Sequence, residues 1–232
     1  MTVILLRHGR STANTAGVLA GRSEGVALDD VGNEQARGVV QRLAQLPLVA
    51  IVTSPMLRCQ QTVAPIAGVR ALTPSVDVRL AEVDYGSWTG QELRKLLSEP
   101  LWKVVQQHPS AAVFPDGEGL AEVQVRAVAA VREHDRRLTA EHGADVLWIA
   151  CTHGDVIKSV LADALGTHLD SFQRIVADPG SASVIRYTDT RPFVLRSNDT
   201  GGDLSSVVPP PPKSAEDGTS AADAVVGGST GG

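Results

Sequence analysis

Two short apolar runs, Val3 to Leu6 and Val146 to Cys151, each lead within two residues into a His-Gly pair, His8-Gly9 and His153-Gly154. Uninterrupted runs of this length with β-branched members read as strands buried on both faces, the kind found in parallel sheets covered by helices. Open α/β sheets hold their ligands in a crevice at the C-terminal ends of the strands. His8 and His153 are both expected at that edge, each at the start of a strand-to-helix connection.

The rest of the chain supports this architecture. Ala50 to Thr53, Ser183 to Tyr187 and Phe193 to Leu195 read as further strands. Between them lie amphipathic stretches. In the clearest, Leu120 to Leu138, residues Leu120, Val123, Ala127, Val131, His134 and Leu138 form one stripe. A second helix is expected after Gly154, with Val156, Ile157, Val160, Leu161, Ala164 and Leu165 inward and Gly166 as its stop. The alternation predicts an α/β fold, a three-layer α/β/α sandwich with a mainly parallel sheet; the closely spaced last two strands imply an antiparallel edge.

A chain of 232 residues suffices for one full core. No apolar stretch approaches the roughly 20 residues that span a bilayer, and no signal-like segment precedes the first strand. A membrane partner is not expected, and the cytoplasm is the expected compartment. Residues 199–232 carry Asp199, Asp203, Glu216, Asp217 and Asp223 against Lys213 alone, which accounts for −4 of the net charge of −5. Residues 1–198 are therefore nearly neutral and, with 3 % aromatics, show no basic or stacking surface for nucleic acid. The division expected is a catalytic domain over 1–198 and a disordered tail over 199–232, rich in Gly, Ser, Ala and Pro and containing Pro209 to Pro212. The pattern specifies no oligomeric state, and a homodimer is compatible with it. Cys59 and Cys151 have neither metal-ligand nor disulfide-scaffold spacing and read as small buried hydrophobes.

Four segments carry chemistry. Arg7-His8-Gly9 places a fixed cation beside a histidine, with a glycine that lets backbone approach a ligand. Ser54-Pro55-Met56-Leu57-Arg58 follows the strand Ala50 to Thr53; with Ser54 as N-cap and Pro55 as first helical residue, Arg58 falls about one turn into a helix and reaches the same crevice. Thr152-His153-Gly154-Asp155 repeats the histidine placement and adds the free NH groups of a helix N-terminus. Glu82, in Glu82-Val83-Asp84-Tyr85-Gly86-Ser87-Trp88-Thr89-Gly90, is the best-placed proton donor for a poor leaving group. Asp155 is a lesser alternative for that role. Trp88, Phe114 and Pro115 are candidates for the pocket mouth. His108, His134, His142 and His168 lack such placement and read as surface or core residues.

Together these segments resemble the histidine phosphatase superfamily, which includes the cofactor-dependent phosphoglycerate mutases. Arg7-His8-Gly9 with Ser11 and Asn14 is similar to its nucleophile motif, and Ser54-Pro55 through Arg58 to Gln61-Thr62 to its second arginine motif. Glu82 with Tyr85-Gly86 and Gly90 is similar to its acid loop, and His153-Gly154 to its second histidine. The resemblance spans about residues 1 to 190. It implies that His8 is the phosphorylated nucleophile and that Glu82 is the acid and later the base. It also implies that Arg7, Arg58 and His153 hold the transferred phosphoryl group, with Ser11, Asn14 and Gly154 at the substrate. Neighbouring cations disfavour protonation of His8, and they stabilise charge on the phosphoryl oxygens during in-line transfer. No cofactor and no metal site is expected, since no carboxylate or Cys/His cluster would supply one.

Phosphatase and mutase share a phosphohistidine and differ in the acceptor. Mutases of this superfamily carry basic residues after the acid and in an insertion that holds a doubly phosphorylated cofactor. Here Val83 and Asp84 follow Glu82, and Gln91 to Phe114 offers only Arg94, Lys95 and Lys103. A metal-independent phosphomonoesterase acting on a small phosphorylated metabolite, with an acid-side optimum, is the expectation; a phosphoglycerate mutase-type phosphomutase is the alternative. An inactive fold serving as a binding scaffold is the reading from another class, and the presence of every expected catalytic residue speaks against it. The acid-phosphatase branch fits poorly, because Arg10-Ser11-Thr12 lacks its Arg-x-Pro continuation and Gly154 separates His153 from Asp155. Arg10 stands where the family more often has Glu or Gln; a surface ion pair is preferred over a role toward substrate.

Overall fold

A computed structural model describes residues 1–43, 45–143 and 146–201. In chain order its elements are β1 (Thr2–Arg7), α1 (Thr12–Ala16), α2 (Asp30–Leu43), β2 (Leu48–Thr53), α3 (Leu57–Arg70) and β3 (Ser75–Val76). There follow α4 (Leu93–Leu96), α5 (Pro100–Gln107), α6 (Leu120–His142), β4 (Leu147–Thr152), α7 (Gly154–Leu165), β5 (Ala182–Tyr187) and β6 (Pro192–Asp199). The strands form one sheet in the order β3-β2-β4-β1-β5-β6. β1, β2, β3 and β4 run parallel, β5 is antiparallel to β1, and β6 is antiparallel to β5. The antiparallel part is thus two strands wide.

Side chains alternate across this sheet with period two, so each central strand feeds two cores. Val3, Leu5, Trp148 and Ala150 pack with Val123, Val131, Leu138, Val156 and Val160 of α6 and α7 on one face. Ile4, Leu6, Ile149 and Cys151 pack with Val39, Leu43, Val63 and Ile66 of α2 and α3 on the other. This is the three-layer α/β/α arrangement. Cys59 and Cys151 are free and buried. No helix among the described residues is long and apolar enough to cross a membrane.

Strand register aligns the functional edge. Leu6 pairs with Cys151 and Arg7 with Thr152, while Thr53 pairs with Cys151. β1, β2 and β4 therefore end level, and His8, Ser54 and His153 emerge side by side.

Several expectations change in detail. α6 runs one turn beyond Leu138, and Asp135 rather than His134 holds the buried position, where it accepts from the Trp148 indole at 3.3 Å. His134 turns instead to Asp77, 2.8 Å away. Helix α3 begins at Leu57 with Met56 as N-cap, not at Pro55 behind Ser54. The Ser54 hydroxyl lies against the imidazole of His153 and takes a weak bond from the Met56 NH, so Arg58 is the second helical residue. Trp88 and Phe114 are core residues: Phe114 meets Tyr85 and Trp88 edge-on, and Trp88 stacks on Trp102. Of the three candidates for the pocket mouth only Pro115 is exposed. Arg10 makes the expected ion pair, with Asp29 at 2.7 Å. Asp199 closes β6 and meets Arg42, so the described fold extends past residue 198; the rest of the tail expected over 199–232, with its prolines, lies outside the described residues.

Candidate active site

The backbone around His8 is held on both sides. Its NH donates to the Thr152 carbonyl (3.0 Å), its carbonyl accepts from Gly180 (3.1 Å), and the Arg7 NH donates to Ser181. Gly9 passes so close to α2 that a Cβ there would stand 2.6 Å from the Gly32 carbonyl oxygen, which requires glycine. The Gly9 NH donates to Thr62 Oγ1, whose hydroxyl donates to the Arg58 carbonyl. One hydroxyl thereby couples the first arginine-histidine segment to the second arginine segment.

The hydrogen bonds fix the tautomers of the two histidines. His8 Nδ1 lies 2.7 Å from the Gly9 carbonyl, which only accepts, so Nδ1 carries the proton and Nε2 keeps its lone pair. Arg58 Nε, which only donates, faces that lone pair at 3.4 Å. In His153 the pattern is reversed: Arg58 Nη2 approaches Nδ1 at 3.2 Å, so the proton sits on Nε2, 2.7 Å from Ser54 Oγ. The rings meet edge to face at 5.1 Å between centroids.

Both imidazoles are held neutral. Burial, then the charges of Arg58 and Arg7, push the His8 pKa well below its ordinary value. Burial, Arg58 and His8 do the same to His153. The positive charge comes from the guanidiniums. Arg7 is fully buried and donates to the Ala177 carbonyl, and Arg58 donates through Nη2 to the Gly21 carbonyl at 2.8 Å. Arg58 Nη1 is buried with no hydrogen-bond partner among the described residues. A buried charged donor left unpaired is costly, and this one belongs to the guanidinium whose Nε faces the His8 lone pair.

Glu82 completes the cluster. It is 4 % exposed, with Oε1 on the Val83 NH (3.0 Å) and Oε2 3.7 Å from His153 Nδ1. Burial, then the charge of Asp155, raises its pKa to about 7, against the pull of Arg58 and Arg7. Its backbone carbonyl accepts from Arg22 (2.9 Å) and Arg126 (3.2 Å), and Arg126 also binds the Arg79 and Ala81 carbonyls. Arg126 staples the acid loop to α6. It sits on the polar side of an amphipathic helix, and nothing in the sequence distinguished it from a solvated arginine. Ser54, read as a helix cap, instead sets the His153 tautomer.

The remaining predicted residues divide in two. Gly154 opens α7 behind His153 as N-cap, so its first-turn NH groups lack partners inside the helix. Ser11 and Asn14 form a capping box on α1, with Asn14 Oδ1 taking both the NH and the hydroxyl of Ser11. That leaves Asn14 Oδ1 committed to the α1 cap rather than to a ligand. Among the described residues no three His, Cys, Asp or Glu side chains gather as a metal-binding group.

A neutral imidazole lone pair, two guanidiniums and a carboxyl that keeps its proton to near neutrality are the parts of a phosphoryl-transfer site. Comparison with known proteins agrees. A family model for the histidine phosphatase superfamily (branch 1) matches residues 3–200. The chain is 28 % identical over 201 residues to "Phosphoserine phosphatase 1" of Hydrogenobacter thermophilus, covering 85 % of this chain and 92 % of that protein. It is 29 % identical over 192 residues to "Probable phosphoglycerate mutase GpmB" of Yersinia pestis, covering 82 % and 86 %. Among solved structures, YhfR of Bacillus stearothermophilus superposes with a TM-score of 0.77 at 27 % identity, over 85 % of this chain and 96 % of that one.

Proposed function

The chain belongs to the histidine phosphatase superfamily, and from that membership we infer that it is a phosphomonoesterase for a small phosphorylated metabolite, working through His8. His8 Nε2 attacks phosphorus, the N–P bond forms as the ester P–O bond breaks, and Glu82 gives its proton to the departing oxygen. Water then attacks the phosphohistidine while the Glu82 carboxylate takes its proton, which releases phosphate and restores both groups. Arg7 and Arg58 hold the phosphoryl oxygens, aided by His153 and the α7 NH groups.

The observation that carries this reading is Arg58 Nε facing the lone pair of a neutral His8 at 3.4 Å, with Nη1 of the same guanidinium buried and unpartnered among the described residues, a donor suited to a phosphoryl oxygen. Hydrolysis is favoured over mutase chemistry because Arg94 and Lys95, two of the three basic residues between Gln91 and Phe114, pair with Glu92, and Lys103 is exposed. Phosphoserine, the substrate in the name of one relative, is a natural first compound to assay. The test is release of phosphate from p-nitrophenyl phosphate by enzyme treated with chelator. Turnover unchanged by the chelator supports the reading. Turnover abolished by it, or phosphoglycerate interconversion stimulated by a bisphosphoglycerate with little net phosphate, overturns it.

A further inference from the structure

Asp155 has no part in that scheme, yet it is the most enclosed carboxylate near the crevice, fully buried on the first turn of α7. Oδ2 accepts from the Tyr85 hydroxyl at 2.8 Å, and Oδ1 faces Lys158 Nζ at 3.4 Å. Lys158 is itself buried, donates to Gln173 Oε1 at 2.6 Å and lies over the Phe172 ring. Two charges withdrawn from water so completely carry a desolvation cost that an apolar pair would avoid, so their presence asks for a function.

The geometry supplies one. Tyr85 lies three residues beyond Glu82 in the acid loop, and Gly86 follows at φ +52°, where a Cβ would meet the Pro115 carbonyl oxygen at 1.9 Å. The Tyr85–Asp155 bond therefore ties a rigid acid loop to the helix whose N-cap is His153. With both oxygens engaged, Asp155 is not available as the proton donor itself.

We propose that Asp155 is a positioning residue for Glu82: through the Tyr85 hydroxyl it anchors the acid loop to α7, and it places a second buried carboxyl in the cluster that holds the Glu82 carboxyl. The proposal rests on Glu82 being the acid in the reaction above. The titratable and charged groups that act on the Glu82 carboxyl include Arg7 from β1, Arg58 from α3, Tyr85 of its own loop, His153 and Asp155 from the corner between β4 and α7, and Lys158 from α7. Arg22 and Arg126 bind its backbone carbonyl instead. The two guanidiniums facing the carboxyl draw it toward ionisation, and burial and Asp155 hold it at about 7. Lys158 pairs with Asp155 at 3.4 Å and also feels the Glu82 charge. Two carboxyls in one low-dielectric site cannot both ionise freely.

Asp155→Asn keeps the shape and the acceptor for Tyr85 but removes the charge. Two readouts separate the proposal from the reading beneath it: titration of the Glu82 side-chain carboxyl by 13C NMR in the full chain without substrate, and the pH profile of kcat/KM for p-nitrophenyl phosphate. The variant is expected to titrate at Glu82 about one unit lower or more, with the alkaline limb falling by the same amount and KM little changed. An unchanged Glu82 titration overturns the proposal and leaves the phosphatase reading intact. A lowered titration with an unmoved limb removes Glu82 as the acid, and the proposal with it. Should the asparagine variant not fold, Asp155→Ser removes the same charge and is read by the same titration.

Discussion

The two histidine corners begin alike, each a buried strand running into His-Gly at the same sheet edge, and end as opposites. At the β1 corner the imidazole proton is tied down by the next residue's carbonyl, and Nε2 is offered to the crevice. At the β4 corner the proton points to Ser54, and Nδ1 faces Arg58 and Glu82. The difference arises from local backbone and neighbours. After His8 the chain turns at once against α2, which brings the Gly9 carbonyl under the ring. His153 instead caps α7 and takes its partner, Ser54, from the residue that follows β2. In the mechanism we propose, a nucleophile and a phosphoryl-group ligand thus come from the same dipeptide, told apart by hydrogen-bond direction.

The largest expected effect breaks this comparison. His8→Ala should lower kcat for p-nitrophenyl phosphate by at least about 10⁴-fold, since the covalent route disappears. His153→Ala should cost only about 10²–10³-fold, the range for losing one stabilising contact to developing charge. Equal losses would mean that the corners do not differ in role.

The pH profile sharpens it further. His8 loses activity when protonated, and its pKa is held well below the ordinary value, so activity should persist well below pH 6.5. Glu82 must carry its proton for the leaving group to depart, so activity should fall as pH rises through about 7. An activity that rises through pH 7 would contradict the assigned acid.

A smaller effect concerns the packing that makes the β1 corner tight. At Gly32 a Cβ would stand 2.0 Å from the Arg10 carbonyl oxygen, so Gly32→Ala must push α2 off the His8 loop. A loss of about 1–3 kcal/mol in denaturant unfolding is expected, the usual cost of overpacking. The neighbouring Arg10–Asp29 pair is partly exposed, and Arg10→Ala should cost no more than about 1 kcal/mol.

Much of this was legible because strand burial and motif spacing are local signals. Val3 to Leu6 and Val146 to Cys151 read directly as β1 and β4, and Gly166 stops α7 in a left-handed conformation. The two-residue strand β3 has too little pattern to be seen. The misplacement of the α3 start at Ser54 has a different cause, since a serine beside proline is a good cap until a histidine 99 residues later bonds its hydroxyl. Trp88 and Phe114 misled because loop aromatics look available, whereas here they pack with Tyr85 and Trp102 into a core. Direction of hydrogen bonds, the Arg126 staple and the Asp155–Lys158 pair are tertiary facts that no spacing encodes.

The central claim is that His8 Nε2 becomes phosphorylated. Rapid acid-free quenching during turnover, followed by 31P NMR and peptide mapping of the full chain, tests it directly. The account predicts one phosphoryl group per chain, on His8 and attached at Nε2, absent in His8→Ala and still formed in His153→Ala. A phosphoryl group on His153, or turnover with no phosphoenzyme under conditions that preserve phosphohistidine, would contradict it.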